Sequence, residues 1–238
     1  MRILLIGYGK MGRTIEQIAT QRGHEIVGKI DVTNTNTLSQ YNGNNVDAAI
    51  EFTHPESAFQ NVKYCLQNNI PVVCGSTGWL EHFSEAKAIC ESENGGFFYA
   101  SNYSVGVNLF FHFNEYLASK MQAYPNFKIS VKEVHHIQKV DKPSGTAITT
   151  VEGILSQNSN FNGWVLAPED ASDKIAITSE RVGNVVGTHV VRYESENDTI
   201  ELMHDAHSRT GFAEGAVMAA EWLQNKKGVF GMKDMLNL

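Results

Sequence analysis

The residues with the most evident chemistry lie in one segment, 132–147, which reads KEVHHIQKVDKPSGTA. His135 and His136 are adjacent in it, and Lys139 follows shortly afterwards. An imidazole, with an ordinary pKa of about 6.5, can accept or donate a proton at neutral pH, and a lysine ammonium can donate one. The segment therefore carries the groups that general acid and base catalysis needs.

The residues before this segment predict how it is held. Apolar and polar residues alternate over 128–134, which indicates a β-strand. Successive side chains of a strand point to opposite faces, so His135 and His136 can share one cleft only where the strand ends. The turn formers Asp141, Pro143 and Gly145 support such an end. Taken alone, a histidine pair at a strand end would more often be structural than catalytic.

A helix is predicted to follow over 146–157, with Ser144 as its cap. The N–H groups of Gly145 and Thr146 would then be free at the positive end of the helix, where a carboxylate or phosphate is favoured. Lys139 and Lys142 add positive charge nearby. The sequence therefore predicts a pocket for a small anion.

The same segment resembles the signature of the dihydrodipicolinate reductase family, Glu-x-His-His-x-x-Lys-x-Asp-x-Pro-Ser-Gly-Thr-Ala, and matches it at every fixed position. The resemblance implies reduction of 4-hydroxy-tetrahydrodipicolinate, a small cyclic dicarboxylate, to tetrahydrodipicolinate on the diaminopimelate route to lysine. It also implies that His135 is the proton donor and acceptor and that Lys139 is the proton donor. His136, Gly145 and Thr146 would bind the carboxylates of the substrate.

The amino-terminal residues predict a dinucleotide site. The apolar run at 2–6 is typical of a strand buried in a parallel sheet, and GYGKMG at 7–12 follows it as Gly-x-Gly-x-x-Gly before a helical pattern. In such a loop Gly7 makes the turn, Gly9 lets the pyrophosphate approach and Gly12 allows close helix packing. A second predicted strand, 25–31, ends at Asp31, where the ribose hydroxyls would be bound. The alternative is a strand that merely ends in a turn aspartate.

The resemblance extends this site along the chain. GST at 75–77 is close to a Gly-Thr-Thr-Gly of the family, and ASNY at 100–103 is similar to its Ala-x-Asn-Phe/Met-Ser, with Tyr103 at the aromatic position. His54 we interpret first as a loop residue. The expected cofactor-binding residues are Gly7, Tyr8, Gly9, Lys10, Met11, Gly12, Asp31, Phe52, Thr53, Gly75, Ser76, Thr77, Ala100, Ser101, Asn102 and Tyr103.

The ribose end of this site predicts which cofactor is used. Asp31 can accept hydrogen bonds from both ribose hydroxyls, and its charge would repel the 2′-phosphate of NADPH. No arginine follows Asp31, but Lys29 shares its strand face and could lend positive charge. We therefore expect NADH to be preferred, with NADPH possible.

Composition bounds the partners. The chain has 238 residues, 42% of them hydrophobic, and a formal net charge of −7, so we expect a globular protein that does not bind nucleic acid. Three cysteines without a Cys-x-x-Cys pair fit a reducing, cytoplasmic compartment. The first apolar run is too short for a membrane helix, and no membrane partner is expected. His204 and His207 have the wrong period for two ligands on one strand face, so no metal is expected.

The predicted fold class is α/β: a Rossmann-type parallel sheet with a second α+β domain built on a mixed sheet. Strands at 46–53, 71–74 and 97–104 and helices at 55–69 and 80–93 continue the first sheet, whereas 33–45 predicts a loop, shorter than the family usually has. Strand-like runs at 173–181, 185–194 and 199–207 extend the strand at 128–134. The expected domains are 1–104 plus 208–238 for the dinucleotide and 105–207 for substrate and oligomerisation.

Three points stay open at this stage. A mixed sheet with helices on one face needs a partner for the other face, so we expect an oligomer, by the family a homotetramer. His189 matches a Gly-x-His of the family and Arg209 its Ser-Arg, and each is as readily structural as functional. The rival functions are another two-domain dehydrogenase, for amino acids or sugars, and a nucleotide-sensing regulator without turnover. The His-His-x-x-Lys run next to Pro-Ser-Gly-Thr argues against the first rival. A sensor would have no use for Lys139 in a pocket, but the sequence does not exclude it.

Overall fold

The computed structural model describes residues 1–169, 172–208 and 210–238. The chain divides into two compact units, 1–105 with 210–238 and 106–209. Within the described part of the chain, none of the helices is long and apolar enough to cross a membrane.

The described residues form eleven strands and seven α-helices. In chain order they are β1 (Arg2–Ile6), α1 (Lys10–Gln21), β2 (Glu25–Ile30), β3 (Ala48–Glu51), α2 (Pro55–Gln67), β4 (Val72–Cys74), α3 (Phe83–Ser92), β5 (Gly96–Tyr99), α4 (Val105–Met121), β6 (Lys128–His135), α5 (Gly145–Gln157), β7 (Trp164–Leu166), β8 (Ile175–Arg181), β9 (Gly187–Glu194), β10 (Thr199–Ala206), α6 (Thr210–Leu223), β11 (Gly228–Phe230) and α7 (Met232–Leu236).

The first unit is built on a six-stranded parallel sheet with the order β2-β1-β3-β4-β5-β11. Ile3 to Ile6 are almost completely buried, as a strand covered by helices on both faces requires. The chain goes from β1 to β2 on one side and then returns to β3 on the other side of β1. Ligands bind parallel sheets at such a reversal, outside the carboxyl ends of the strands.

The second unit is built on a five-stranded mixed sheet with the order β10-β9-β6-β8-β7. Its central strand, β6, is parallel to β8 and antiparallel to β9. The alternation predicted for this strand is present: Ile129, Val131, Glu133 and His135 are buried, and the residues between them are exposed or half-buried. The buried face packs against apolar side chains of α4 and α5, such as Phe110 and Val151. The predicted fold class is thus confirmed.

Several boundaries differ from the sequence expectation. Residues 33–45 are not all loop, because Thr35–Gln40 forms a 3₁₀-helix. The strand predicted over 97–104 ends at Tyr99, and that over 46–53 is only Ala48–Glu51. Three short elements, β7, β11 and α7, were not predicted. Segments of three to five residues are too short to show a hydrophobic period.

Candidate active site

The carboxyl end of β6 holds a buried carboxylate beside a buried imidazole. Glu133 and His135 lie two residues apart, so strand geometry puts both on the covered face. Glu133 has no exposed surface and His135 is 7% exposed. Glu133 Oε2 lies 2.9 Å from His135 Nδ1. Nε2 is therefore the ring nitrogen that does not face Glu133. His136 follows the last residue of the strand and is half-buried.

The other oxygen of Glu133 collects donors from two further elements. Oε1 accepts hydrogen bonds from the Ser144 amide at 3.0 Å, from the Ser179 hydroxyl, and from both terminal nitrogens of Arg181 at 3.2 Å. Burial alone would raise the pKa of Glu133, but the close contact with His135 and the hydrogen bonds from Ser144 and Ser179 outweigh it and hold that pKa well below its ordinary value. Glu133 is therefore ionised at neutral pH.

Arg181 also fixes the loop that carries Lys139. Its Nε donates to the Lys139 carbonyl at 3.2 Å and one terminal nitrogen donates to the Asp141 carbonyl at 2.5 Å. The Lys139 ammonium lies 2.8 Å from Asp141 Oδ1, and this contact lowers the pKa of Asp141. The Lys139 side chain is 23% exposed, so its ammonium remains within reach of a ligand.

The start of α5 is where the sequence predicts an anion site. Ser144 caps the helix: its hydroxyl accepts from the Ala147 amide at 3.2 Å and its carbonyl from the Ile148 amide at 3.0 Å. The amides of Gly145 and Thr146 precede these and have no acceptor inside a helix. A Cβ added to Gly145 would meet nothing within 4 Å, so the space in front of it is open. A carboxylate can approach the helix there.

His189 of β9 belongs to the same cluster, which the sequence left open. Its ring packs edge-on against His135 at a centroid distance of 5.1 Å, and its Nε2 lies 3.3 Å from the Ser144 hydroxyl. Burial, together with the charge of His135, lowers the pKa of His189 to about 4. His189 is therefore neutral at pH 7.

Glu133, His135 and His189 offer atoms within 4.8 Å of one another, a spacing that could also suit a metal ion. Because Arg181 already compensates the charge of the Glu133 carboxylate, we interpret these three residues as a proton-transfer site. His204 and His207 do not join this cluster. His204 lies beside Phe110, with a ring-centroid distance of 6.2 Å, and the side chain of His207 is 89% exposed.

In the first unit, the glycine loop lies at the sheet reversal. Gly7 has φ +97°, and a Cβ there would lie 2.0 Å from the Phe52 carbonyl oxygen, so only glycine fits. A Cβ on Gly12 would lie 2.2 Å from the Gly7 carbonyl oxygen. Gly9, in contrast, faces open space. A phosphate can therefore approach the backbone at Gly9 and the amino end of α1.

A cavity of about 330 Å³ opens at this loop. It is lined by nine of the expected cofactor-binding residues, namely Gly7, Tyr8, Gly9, Lys10, Met11, Gly12, Asp31, Phe52 and Thr53. His54 also lines it, although we interpreted it first as a loop residue. The residues present thus fit a dinucleotide: open backbone for phosphates, and a carboxylate at the far strand for ribose hydroxyls.

The remaining expected residues do not line this cavity, although Gly75 and Ser76 contact residues that do. The Ser76 hydroxyl accepts a hydrogen bond from the Thr53 amide at 2.7 Å, and a Cβ on Gly75 would touch the Phe52 ring at 2.2 Å. Tyr103 is 2% exposed and donates its hydroxyl to the Cys74 carbonyl at 2.7 Å. Thr77 and Ser101 are exposed, Asn102 is half-buried and Ala100 is buried.

Sequence reasoning missed several residues of both sites. Ser179 and Arg181 lie on β8, and no local pattern marks them as partners of a glutamate 46 and 48 residues away. Glu16 was also missed: its Oε1 lies 2.5 Å from Lys29 Nζ, and its Oε2 accepts from the Tyr8 hydroxyl. Arg209, considered above, falls outside the described residues.

Comparison with known proteins covers almost the whole chain. Residues 1–103 match the family model for the amino-terminal part of dihydrodipicolinate reductase, and residues 106–236 match the model for its carboxy-terminal part. A 4-hydroxy-tetrahydrodipicolinate reductase of Christiangramia forsetii is 49% identical over 237 residues, which cover 100% of this chain and 98% of that protein.

Two solved structures show the fold. Dipicolinate-bound dihydrodipicolinate reductase from Paenisporosarcina sp. TG-14 has a TM-score of 0.79 at 23% identity, covering 98% of this chain and 99% of that one. Apo scyllo-inositol dehydrogenase from Lactobacillus casei has a TM-score of 0.56 at 9% identity, covering 100% and 88%. The general fold is thus shared with an inositol dehydrogenase.

A Cβ would meet open space at Gly9 but backbone at Gly12, and this difference yields a prediction. Gly9→Ala should change the free energy of unfolding by less than about 0.5 kcal/mol, since its Cβ would meet nothing, but should weaken NADH binding about tenfold or more by blocking the phosphate. Gly12→Ala should lose about 2 kcal/mol or more of stability through its backbone clash. Urea unfolding measures the free energy of unfolding, and titration calorimetry measures the affinity for NADH. Unchanged NADH affinity in Gly9→Ala would contradict the prediction that a phosphate approaches the backbone at Gly9.

The buried His189 yields a second prediction. Its folded pKa of about 4 lies below the ordinary 6.5, so its contribution is full above pH 6.5 and is lost as the pH falls towards 4. The free energy of unfolding should fall by up to about 3 kcal/mol over this pH range. In His189→Gln the free energy of unfolding should depend much less on pH in the same range. His207 is exposed, so His207→Gln is the control and should leave this pH dependence unchanged. An equally steep pH dependence in His189→Gln would contradict the assigned shift of the His189 pKa.

Proposed function

The chain belongs to the dihydrodipicolinate reductase family, and on that basis we propose that it transfers a hydride from NAD(P)H to 4-hydroxy-tetrahydrodipicolinate. The product is tetrahydrodipicolinate, on the path to diaminopimelate and lysine, and one water is lost. The observation that carries this proposal is the cluster at the end of β6. This cluster combines the His135 imidazole, the loop that carries Lys139 and the open start of α5. A small dicarboxylate that takes up a proton when it is reduced requires such groups.

We assign dinucleotide binding to residues 1–104 with 208–238, and substrate binding to residues 105–207. NAD(P)H, when bound, supplies the hydride. The open backbone at Gly9 receives the phosphates, and Asp31 accepts hydrogen bonds from the ribose hydroxyls. The backbone of residues 75–77 and 100–103 completes the nicotinamide side. The inward-facing side chain of Tyr103 supports this role for the backbone.

The substrate carboxylates bind at the start of α5, through the amides of Gly145 and Thr146 and the imidazole of His136. Lys139 donates the proton that the ring needs as it accepts the hydride, and His135 donates or accepts a proton on the same ligand. The ion pair between Lys139 and Asp141 supports this assignment, because it holds the ammonium group in the loop that follows β6. A nucleotide sensor would have no use for this arrangement.

NADH is the preferred cofactor in this proposal. The pocket presents the Asp31 carboxylate at its ribose end, and the charge of Lys29 is compensated by Glu16 at 2.5 Å. Lys29 therefore offers little net attraction to a 2′-phosphate. Arg13 is a second cation near this end, with its guanidinium 5.6 Å from the centre of the Tyr8 ring. NADPH is thus accepted, but less well.

We further propose a homotetramer in the cytoplasm. The open face of the mixed sheet carries exposed or half-buried Lys132, Thr178, Val190 and Met203, a mixed surface that a second copy can cover. The buried Cys65, Cys74 and Cys90 are free thiols, as in proteins of a reducing compartment. Light scattering should find four chains per particle.

Lys139→Ala tests the reaction itself. With freshly generated substrate, the wild type should oxidise NADH, and the variant should lose about 100-fold or more in kcat while NADH affinity stays the same. Lys142→Ala removes a neighbouring charge and should act on KM instead. A wild type that leaves NADH unoxidised would refute the function, and a normal kcat in Lys139→Ala would refute only the proton donor.

Cofactor choice is tested through the Glu16–Lys29 pair. A charge repulsion of about 1 to 2 kcal/mol gives a roughly 5- to 30-fold higher kcat/KM with NADH than with NADPH. Glu16→Gln should narrow this ratio by freeing Lys29, and adding Lys29→Gln should restore it. High salt should also narrow the wild-type ratio. A wild-type preference for NADPH would indicate that Arg13 dominates the ribose end.

A further inference from the structure

We propose that Glu133 is the positioning residue for His135: its carboxylate keeps the proton on Nδ1, so that Nε2 is the nitrogen that exchanges a proton with the substrate. The catalytic part of this inference rests on the proposed role of His135. Its structural part, the tautomer of the ring, stands on the contacts of Glu133 alone.

The two oxygens of Glu133 have different surroundings, and this asymmetry carries the inference. Oε1 faces four donor groups, from Ser144, Ser179 and Arg181. Oε2 faces imidazoles, with His135 Nδ1 at 2.9 Å and His189 Nε2 a full ångström farther away at 3.9 Å. A carboxylate so fixed on one side presents its second oxygen to His135 in one orientation. An ionised carboxylate can only accept a hydrogen bond, so the facing nitrogen must carry the proton.

The opposite nitrogen of the ring, Nε2, lies beside Gly187. A Cβ on residue 187 would lie 3.0 Å from Nε2, a tighter distance than most such contacts have. Glycine therefore keeps a side chain from pressing on this nitrogen. A histidine that a carboxylate orients at one nitrogen, and that exchanges a proton at the other, is an arrangement that general acid–base catalysis uses.

The remaining charged or titratable groups around the pair do not replace Glu133 in this role. Arg181 is a donor and is bound to Oε1 and to the loop carbonyls. His189, from β9, is neutral at pH 7 because burial lowers its pKa. Lys139 is paired with Asp141. Glu133 is thus the acceptor that faces His135 Nδ1.

Glu133→Gln is the sharpest test, because it preserves shape and removes one acceptor. The amide oxygen should turn to the side with four donors, and the amide NH₂ then faces His135 Nδ1. That nitrogen must become an acceptor, so the proton moves to Nε2. We expect kcat to fall about 100-fold or more through this wrong tautomer, with NADH affinity unchanged and KM changed by less than about threefold.

The tautomer is read directly by ¹⁵N chemical shifts of His135 in the free, full-length enzyme. The wild type should show a protonated Nδ1 and a bare Nε2 in the neutral ring, and Glu133→Gln the reverse. A wild type with protonated Nε2 overturns the inference without any variant, even if Glu133→Gln fails to fold. Because this readout needs no substrate, it is independent of whether the proposed reaction occurs.

A matched control separates positioning from stability. Ser179→Ala removes one donor from Oε1 but leaves Oε2 facing His135. It should lower the free energy of unfolding and keep the Nδ1-protonated tautomer, with a far smaller loss of kcat than Glu133→Gln. An equal loss of kcat in both variants, with the tautomer unchanged in Glu133→Gln, would mean that Glu133 acts only through stability.

Discussion

The buried charge of Glu133 is the constraint on which the second unit depends. A carboxylate without exposed surface costs several kcal/mol unless it is paired and hydrogen-bonded. The pairing here draws on β6, β8 and the start of α5, so satisfying one charge fixes three elements. The same contacts hold the Lys139 loop through Arg181 and the helix cap through Ser144. Fold stability and the geometry of the site thus share one cause.

The first unit depends on a different constraint, the close approach of backbone to backbone. Gly7 and Gly12 bring the loop against the end of β3 and the start of α1, at distances that a side chain would prevent. Binding of a dinucleotide then needs little side-chain chemistry beyond the Asp31 carboxylate. In the proposed function, one unit binds the large dinucleotide with bare backbone, whereas the other uses buried charge to organise the site for a small dicarboxylate.

Local patterns predicted much of this structure. The alternation along β6, the Ser144 cap and the glycine loop all express short-range physics, and the resemblance built on them is confirmed by the family models. What local patterns could not provide is partnership across the sheet. Ser179, Arg181 and His189 reach Glu133 only because β8 and β9 pair with β6, and such pairing has no signal in adjacent residues.

The central claim is that hydride leaves the nicotinamide and enters the bound dicarboxylate. The most direct measurement uses NADH that carries deuterium in the transferred position, with freshly generated 4-hydroxy-tetrahydrodipicolinate, and analyses the product by mass spectrometry. The account predicts one deuterium in tetrahydrodipicolinate for each NAD⁺ formed. NAD⁺ formation without deuterium in the product, or no NAD⁺ at all, would contradict it.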